Sequence, residues 1–345
     1  MLIEIKYFFS VLFAVFILVA DISQADDANK DLKTQANALF GIIMPVTSDT
    51  PDVLLGQALF WDVRVSGDGR TACASCHQAE DWGADRRTFS PDAKGKLTSR
   101  NAQTVFNAMM QPALRWAGDR TSGAHQAEKS LTGSMGFSSV DAVVPILDSL
   151  NYEASFKAAF PETPVPLSSS NYAKALQAYQ ATLLTPAPFD HFLSGNDSSL
   201  THQQKEGLAL FIDTGCASCH NGPLLGGNSI QKFGVVKDYW SATQSEKRDP
   251  GRFELTKNEA DLYTFRVSML RNIAKTGPFF HDGSVAELKE AVRIMAEVQL
   301  GKILSDYDVN KIVAFLESLT GDVPVNYKPR FDLYDQLGNN LKVSR

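Results

Sequence analysis

Cysteine and histidine are both rare in this chain, with four of the first and six of the second among 345 residues. So few cysteines exclude the disulfide-dense scaffolds of small secreted domains. Basic residues are outnumbered, 33 against 39 acidic, for a formal net charge of −6. The broad positive field that nucleic-acid binding needs is therefore missing, although a small basic docking patch is compatible with this balance. Alternating polar and apolar runs are scarce, which points away from a mainly β fold. Only one long apolar run exists, Tyr7–Ala20, behind Met1–Lys6 and ahead of Ser23-Gln24-Ala25 and two aspartates. It falls short of the roughly 20 residues that span a bilayer. The layout is that of a cleaved secretory signal over residues 1–25, with an uncleaved N-terminal anchor as the alternative. Either one delivers the folded part to an export compartment. Cleavage leaves 320 residues with a net charge of −5, more than one compact core usually fills, so two domains are expected.

What is present is concentrated in two identical pentapeptides. Cys73 and Cys76 belong to Cys-Ala-Ser-Cys-His77, and Cys216 and Cys219 to Cys-Ala-Ser-Cys-His220. In such a motif two thiols can form thioethers with the vinyl groups of one haem while the adjacent histidine reaches the iron. A CxxC redox centre, a pair of disulfides or one zinc on four cysteines are the alternatives. None of them explains why each pair is followed at once by one of only six histidines. A repeat 143 residues apart reads as a duplicated c-type cytochrome module, and extracytoplasmic maturation of such haems agrees with export.

Helix signals dominate between these motifs. Asp52–Phe60 and Asn171–Leu184 read as helices of the first half. Thr201-His-Gln-Gln204 is a capping box leading into a helix through Phe211. A second box, Ser284-Val-Ala-Glu287, is expected to open a helix with Val285, Leu288, Val292 and Met295 on one face. A third helix is expected from Ser305 to Leu319. Thr185–Ser199, rich in Pro, Gly, Ser and Asp, reads as the junction. The expected fold is mainly α, with two cytochrome c-like haem domains packed together. Their bounds are 45–195 and 196–322, and 323–345 forms an extended C-terminal tail.

From about residue 50 to 322 the chain resembles the bacterial dihaem cytochrome c peroxidase and MauG superfamily. The resemblance is carried in order by Gly56-Gln-Ala-Leu-Phe60, Ser66-Gly-Asp-Gly69, Phe189-Asp190 with Gly195, and Cys219-His-Asn-Gly-Pro223. It continues through Asp249-Pro-Gly-Arg252, Leu270-Arg-Asn-Ile273, Thr276-Gly-Pro-Phe-Phe-His-Asp-Gly283, and Met295 ahead of Gln299-Leu-Gly301. The resemblance implies an electron-collecting haem ligated by His220 and Met295, thioether sulfur favouring the ferrous state; packing in its helix core is the plainer role for Met295. It further implies a peroxide-reactive haem on His77, with Trp116 lying between the two. Asn101, Thr276 and Pro278 match positions that hold a calcium ion, a hard cation suited to amide and carbonyl oxygens. Many family peroxidases carry a distal histidine soon after the first motif, but none stands between Gln78 and Ala124 here. The iron is then open from the start, or His125 substitutes. Cleaving O–O needs a base and an acid. The family places a glutamine and a glutamate there; Gln126 matches, whereas Ser134 stands in the glutamate's place, leaving Glu128 or His125 to compensate.

The primary expectation is a periplasmic peroxidase that reduces hydrogen peroxide to water with electrons from a small donor, a cytochrome c or a cupredoxin. It would carry two covalent haems c and one calcium ion, and homodimerise as family members often do. A MauG-like enzyme oxidising residues of a partner protein is the second reading. The tyrosine expected at position 295 in that branch is absent. A non-enzymatic dihaem electron carrier is the third.

Overall fold

The computed structural model describes residues 30–330; the expected signal segment and the end of the tail lie outside them. Helices dominate. Residues 30–39 form α1, followed in the first half by α2 (Pro51–Trp61), α3 (Gly123–Thr132), α4 (Val143–Ser149), α5 (Glu153–Ala159) and α6 (Ser169–Ala181). The second half contains α7 (Pro188–Leu193), α8 (His202–Thr214), α9 (Tyr239–Thr243), α10 (Phe253–Thr256), α11 (Leu288–Leu300) and α12 (Asp306–Glu317). A small antiparallel pair, β1 (Ile230–Lys232) and β2 (Thr264–Arg266), sets Ile230 opposite Arg266. No described helix is long and apolar enough to cross a membrane.

Local chemistry accounts for most boundaries. Pro51, with no amide hydrogen to satisfy, starts α2. Thr201 and Gln204 cap α8 reciprocally, Gln204 N reaching Thr201 Oγ1 at 3.3 Å and Thr201 N reaching Gln204 Oε1 at 2.9 Å. Ser305 caps α12 through the Asp308 amide. The box expected at Ser284 does not form, and α11 starts at Leu288 with no side-chain cap. The Ser284 amide is taken by Asp282 Oδ1 at 3.2 Å, and Val285 O accepts from Phe279 N at 2.7 Å. These bonds hold the first turn of the expected helix in an extended bridge.

One packing unit occurs twice. In the first half α2 crosses α6, and in the second α8 crosses α12. Each crossing is made possible by a glycine. A Cβ on Gly56 would lie 1.9 Å from Ala175 O, and one on Gly207 would lie 1.9 Å from Lys311 O. Four residues on, Phe60 and Phe211 each place a ring 6.4 Å from a motif histidine, His77 and His220. The strings Gly56-Gln-Ala-Leu-Phe60 and Gly207-Leu-Ala-Leu-Phe211 thus record an internal repeat beyond the pentapeptides. Gly56→Ala and Gly207→Ala are each expected to force the helices apart at a cost of about 1–3 kcal/mol or more. Urea unfolding followed by circular dichroism would show it as a lowered midpoint.

Two hydrophobic clusters follow from these units. The first gathers Leu59, Phe60, Phe106, Tyr172 and Tyr179, and Cys73 packs against it; the second gathers Phe189, Phe192, Phe211, Phe315 and Leu316, with Cys216 against it. The ends of these units are packed as well. Within the expected junction 185–199, Phe189, Phe192 and Leu193 are core residues of the second cluster, joined by Ala36 of α1 and by Phe40 just after it. The segment after Asp322, expected as an extended tail, packs back on the first half through residue 328. Tyr327, only 4% exposed, belongs to the first cluster, and Gln57 Nε2 donates to Asn326 O and Lys328 O at 2.7 and 2.9 Å. The halves also meet at Thr185, whose hydroxyl accepts from Asn107 Nδ2 (2.7 Å) and Asn272 Nδ2 (2.9 Å).

Candidate haem sites and the loop beside them

Both motifs fold as single 3₁₀ turns, Cys73–Ser75 and Cys216–Ser218, which present the two thiols and then the histidine. Each histidine is fixed the same way. His77 Nδ1 lies 2.8 Å from Gly83 O and His220 Nδ1 lies 3.0 Å from Leu225 O. A carbonyl only accepts, so Nδ1 carries the hydrogen and the Nε2 lone pair is left for a metal. Burial lowers the pKa of both rings, which keeps them neutral as ligation requires. The same cause pushes the Cys73 thiol up to about 12 and the Cys216 thiol up to about 11. These are poor thiolates, and none of the four cysteines is in a disulfide. The two pairs lie in different clusters, and no group of three or more His, Cys, Asp or Glu is placed to hold a metal among the described residues, which removes the four-cysteine zinc alternative.

A cavity of about 240 Å³ opens beside the second motif. Cys216, Cys219 and His220 form part of its wall, and Met295 of α11 lines it too. Gln299, one turn after Met295, pins α11 to the strand region: its Oε1 accepts from Gly234 N at 2.5 Å and its Nε2 donates to Lys232 O at 3.0 Å. Trp116, Asn101, Thr276 and Pro278 line the same cavity, so five expected residues meet around His220. Trp116 Nε1 donates to Asn101 O at 2.9 Å, and Asn101 Nδ2 is spent on Arg87 O at 2.8 Å. His281, in the matched string Thr276–Gly283, is buried against Phe265 with ring centroids 4.3 Å apart. Its Nε2 has no hydrogen-bond partner.

The other three expected residues stand apart from this group, on α3. Gln126 Oε1 is buried without a partner. His125 Nδ1 turns back towards the start of its own helix, 3.3 Å from Thr121 Oγ1. Glu128 is partly buried, and Ser134 is exposed. The Tyr172 hydroxyl, in the cluster holding Cys73, is likewise buried and unpartnered. The donor sets at both places suit a haem: neutral histidines with a free Nε2 and paired thiols beside them, with a cavity at the second and buried polar atoms lacking a protein partner in the first half. Bound there it would supply iron for one-electron chemistry, on His77 and Cys73/Cys76 and on His220 and Cys216/Cys219.

Two groups near these sites were not picked out from the sequence. The Tyr327 hydroxyl donates to His77 O at 2.5 Å, and its ring lies 4.6 Å from Phe106 and 5.2 Å from Trp61. In the sequence nothing sets it apart from the other aromatics of the tail, Phe331 and Tyr334. Asp190 and Arg271 form a bidentate pair at 2.6 and 2.9 Å with side chains 3% and 0% exposed. Arg271 Nε also donates to Pro223 O at 2.8 Å, which ties the strings Phe189-Asp190, Cys219–Pro223 and Leu270–Ile273 into one contact.

Residues 50–198 match the family model described as di-haem cytochrome c peroxidase. The chain is 41% identical over 304 residues to the cytochrome c551 peroxidase of Pseudomonas aeruginosa, covering 87% of this chain and 86% of that protein. It is 37% identical to the cytochrome c551 peroxidase of Nitrosomonas europaea, over 82% and 85% of the two chains. A solved structure of a MauG-like protein associated with microbial copper homeostasis superposes with a TM-score of 0.71 at 25% identity, covering 84% and 97%. The chain belongs to the di-haem cytochrome c peroxidase family. It is a haem-dependent oxidoreductase, a cytochrome c peroxidase, with two haems c as its cofactors.

Proposed function

We propose that the two haems divide the work unequally, as two small helical units of one exported, periplasmic enzyme. Electrons from a cytochrome c or cupredoxin enter at the haem on His220, with Met295 as its sixth ligand. They pass Trp116 and reach the haem on His77, where hydrogen peroxide takes two electrons and two protons and leaves as two waters. The observation that carries this reading is the shared cavity: His220, Met295 and Trp116 line one space. A thioether there favours the reduced iron. Gln126 orients peroxide or water in this reading, which its buried carbonyl oxygen without a protein partner supports. Asn101, Thr276 and Pro278, grouped in one wall, support a calcium ion bound by carbonyl oxygens.

Electron paramagnetic resonance of the fully oxidised holoprotein tests the asymmetry: one high-spin and one low-spin ferric signal are expected. Two low-spin signals would overturn an open peroxide site. Exposed Ser134 in the acid/base position favours one competing reading, oxidation of a partner protein as in MauG. Rapid peroxide-dependent oxidation of reduced cytochrome c in steady state is expected only of the peroxidase.

A further inference from the structure

Two arginines from the second half, Arg252 and Arg266, hold the loop that carries Trp116, and one of them lacks an anion. Arg252 Nη1 donates to Ala117 O at 2.8 Å and faces Asp261. Arg100, from the first half, makes a bidentate pair with Asp249 at 2.6 and 2.7 Å. Arg271 has Asp190. Arg266, 3% exposed, has only neutral acceptors: Arg115 O for Nε at 3.0 Å, Gln103 Oε1 for Nη2 at 2.8 Å, and Gln111 Oε1 for Nη1. Its backbone amide also donates to Trp116 O at 2.7 Å. Burial alone pulls its guanidinium down to about 10, with no carboxylate offsetting it.

An isolated buried charge is costly, and proteins keep one where a counter-charge arrives. Arg266 lines the cavity that holds His220, Cys219 and Met295. A haem seated there brings two carboxylates of its own, and planar guanidinium is the side chain best shaped to receive one. We propose that Arg266 is the anchor for a propionate of the haem on His220 and, through its bonds to Arg115 O and Trp116 O, the positioning residue that couples that haem to the Trp116 loop. This rests on the cavity housing a haem. Its positive charge next to the porphyrin disfavours the oxidised iron, so it raises that haem's midpoint potential.

The test is spectroelectrochemical titration of the holoprotein, scored only on samples with two haems per chain. Arg266→Gln is expected to lower the midpoint of the Met295-ligated haem by about 59 mV, a tenfold change for a one-electron couple. The other haem should move far less. Arg266→Lys keeps the charge and should recover most of the shift. Gln103→Glu leaves Arg266 in place but neutralises it within the wall, and should lower the same midpoint. Unchanged midpoints in Arg266→Gln and Gln103→Glu would overturn the assignment. A wild-type protein with a single haem would instead overturn the reading of the cavity.

Discussion

Exchange of Cys73 and Cys76 for alanine is expected to leave a protein with one haem that still accepts electrons from a donor but no longer consumes peroxide. Covalent attachment at the first site depends on those two thiols, and the haem that remains is the one proposed to be held by both His220 and Met295, which would leave peroxide no place to bind. The mirrored exchange of Cys216 and Cys219 is expected to do the opposite. It leaves the His77 haem able to react with peroxide once and then stall, because the route for donor electrons is gone. Haem content per chain, stopped-flow mixing with peroxide and anaerobic reduction by cytochrome c would separate the two. If the Cys73/Cys76 variant kept its turnover, the assignment of the peroxide site to His77 would be wrong.

Asp190→Ala is expected to be the most damaging single substitution outside the haem motifs, at about 3–5 kcal/mol, because it strands a fully buried guanidinium. Burial pulls the Arg271 pKa down, and the charge and hydrogen bonds of Asp190 hold it up. The same carboxylate accepts from Ile43 N and Ala187 N, both at 2.7 Å, so removal also orphans two buried amides. Asp190→Asn should lose less, since it retains one acceptor. Denaturant unfolding of the holoproteins measures the difference; an Asp190→Ala midpoint equal to wild type would show that the pair carries no net stability.

Covalent chemistry was the most legible part of this molecule. A CxxCH string fixes thiol and imidazole spacing locally, so it needs no tertiary context, and the capping residues at Thr201 and Ser305 are local in the same way. The proposal of Met295 as a ligand rests on the resemblance of its surroundings and on its place in the cavity wall, since its spacing on α11 is equally that of a core residue. Residues whose roles arise from long-range contact were missed. Arg266 acts across 155 positions to Gln111, and nothing beside it in the chain marks it as lacking an anion. The capping box at Ser284 failed for the complementary reason: Asp282 and Phe279 compete for the same backbone and win. The Gly56 and Gly207 pair was visible as two near-identical strings, but only the helix crossings give the glycines their meaning.

The segment ending at Tyr327 makes the first unit depend on residues that follow the second in the chain. Tyr327 closes on the carbonyl of His77 from 250 positions away, and its ring packs on Phe106 and Trp61. A chain cut short of Tyr327 would lose both the bond and the packing, so the wall around the first motif is completed from the far end of the described residues.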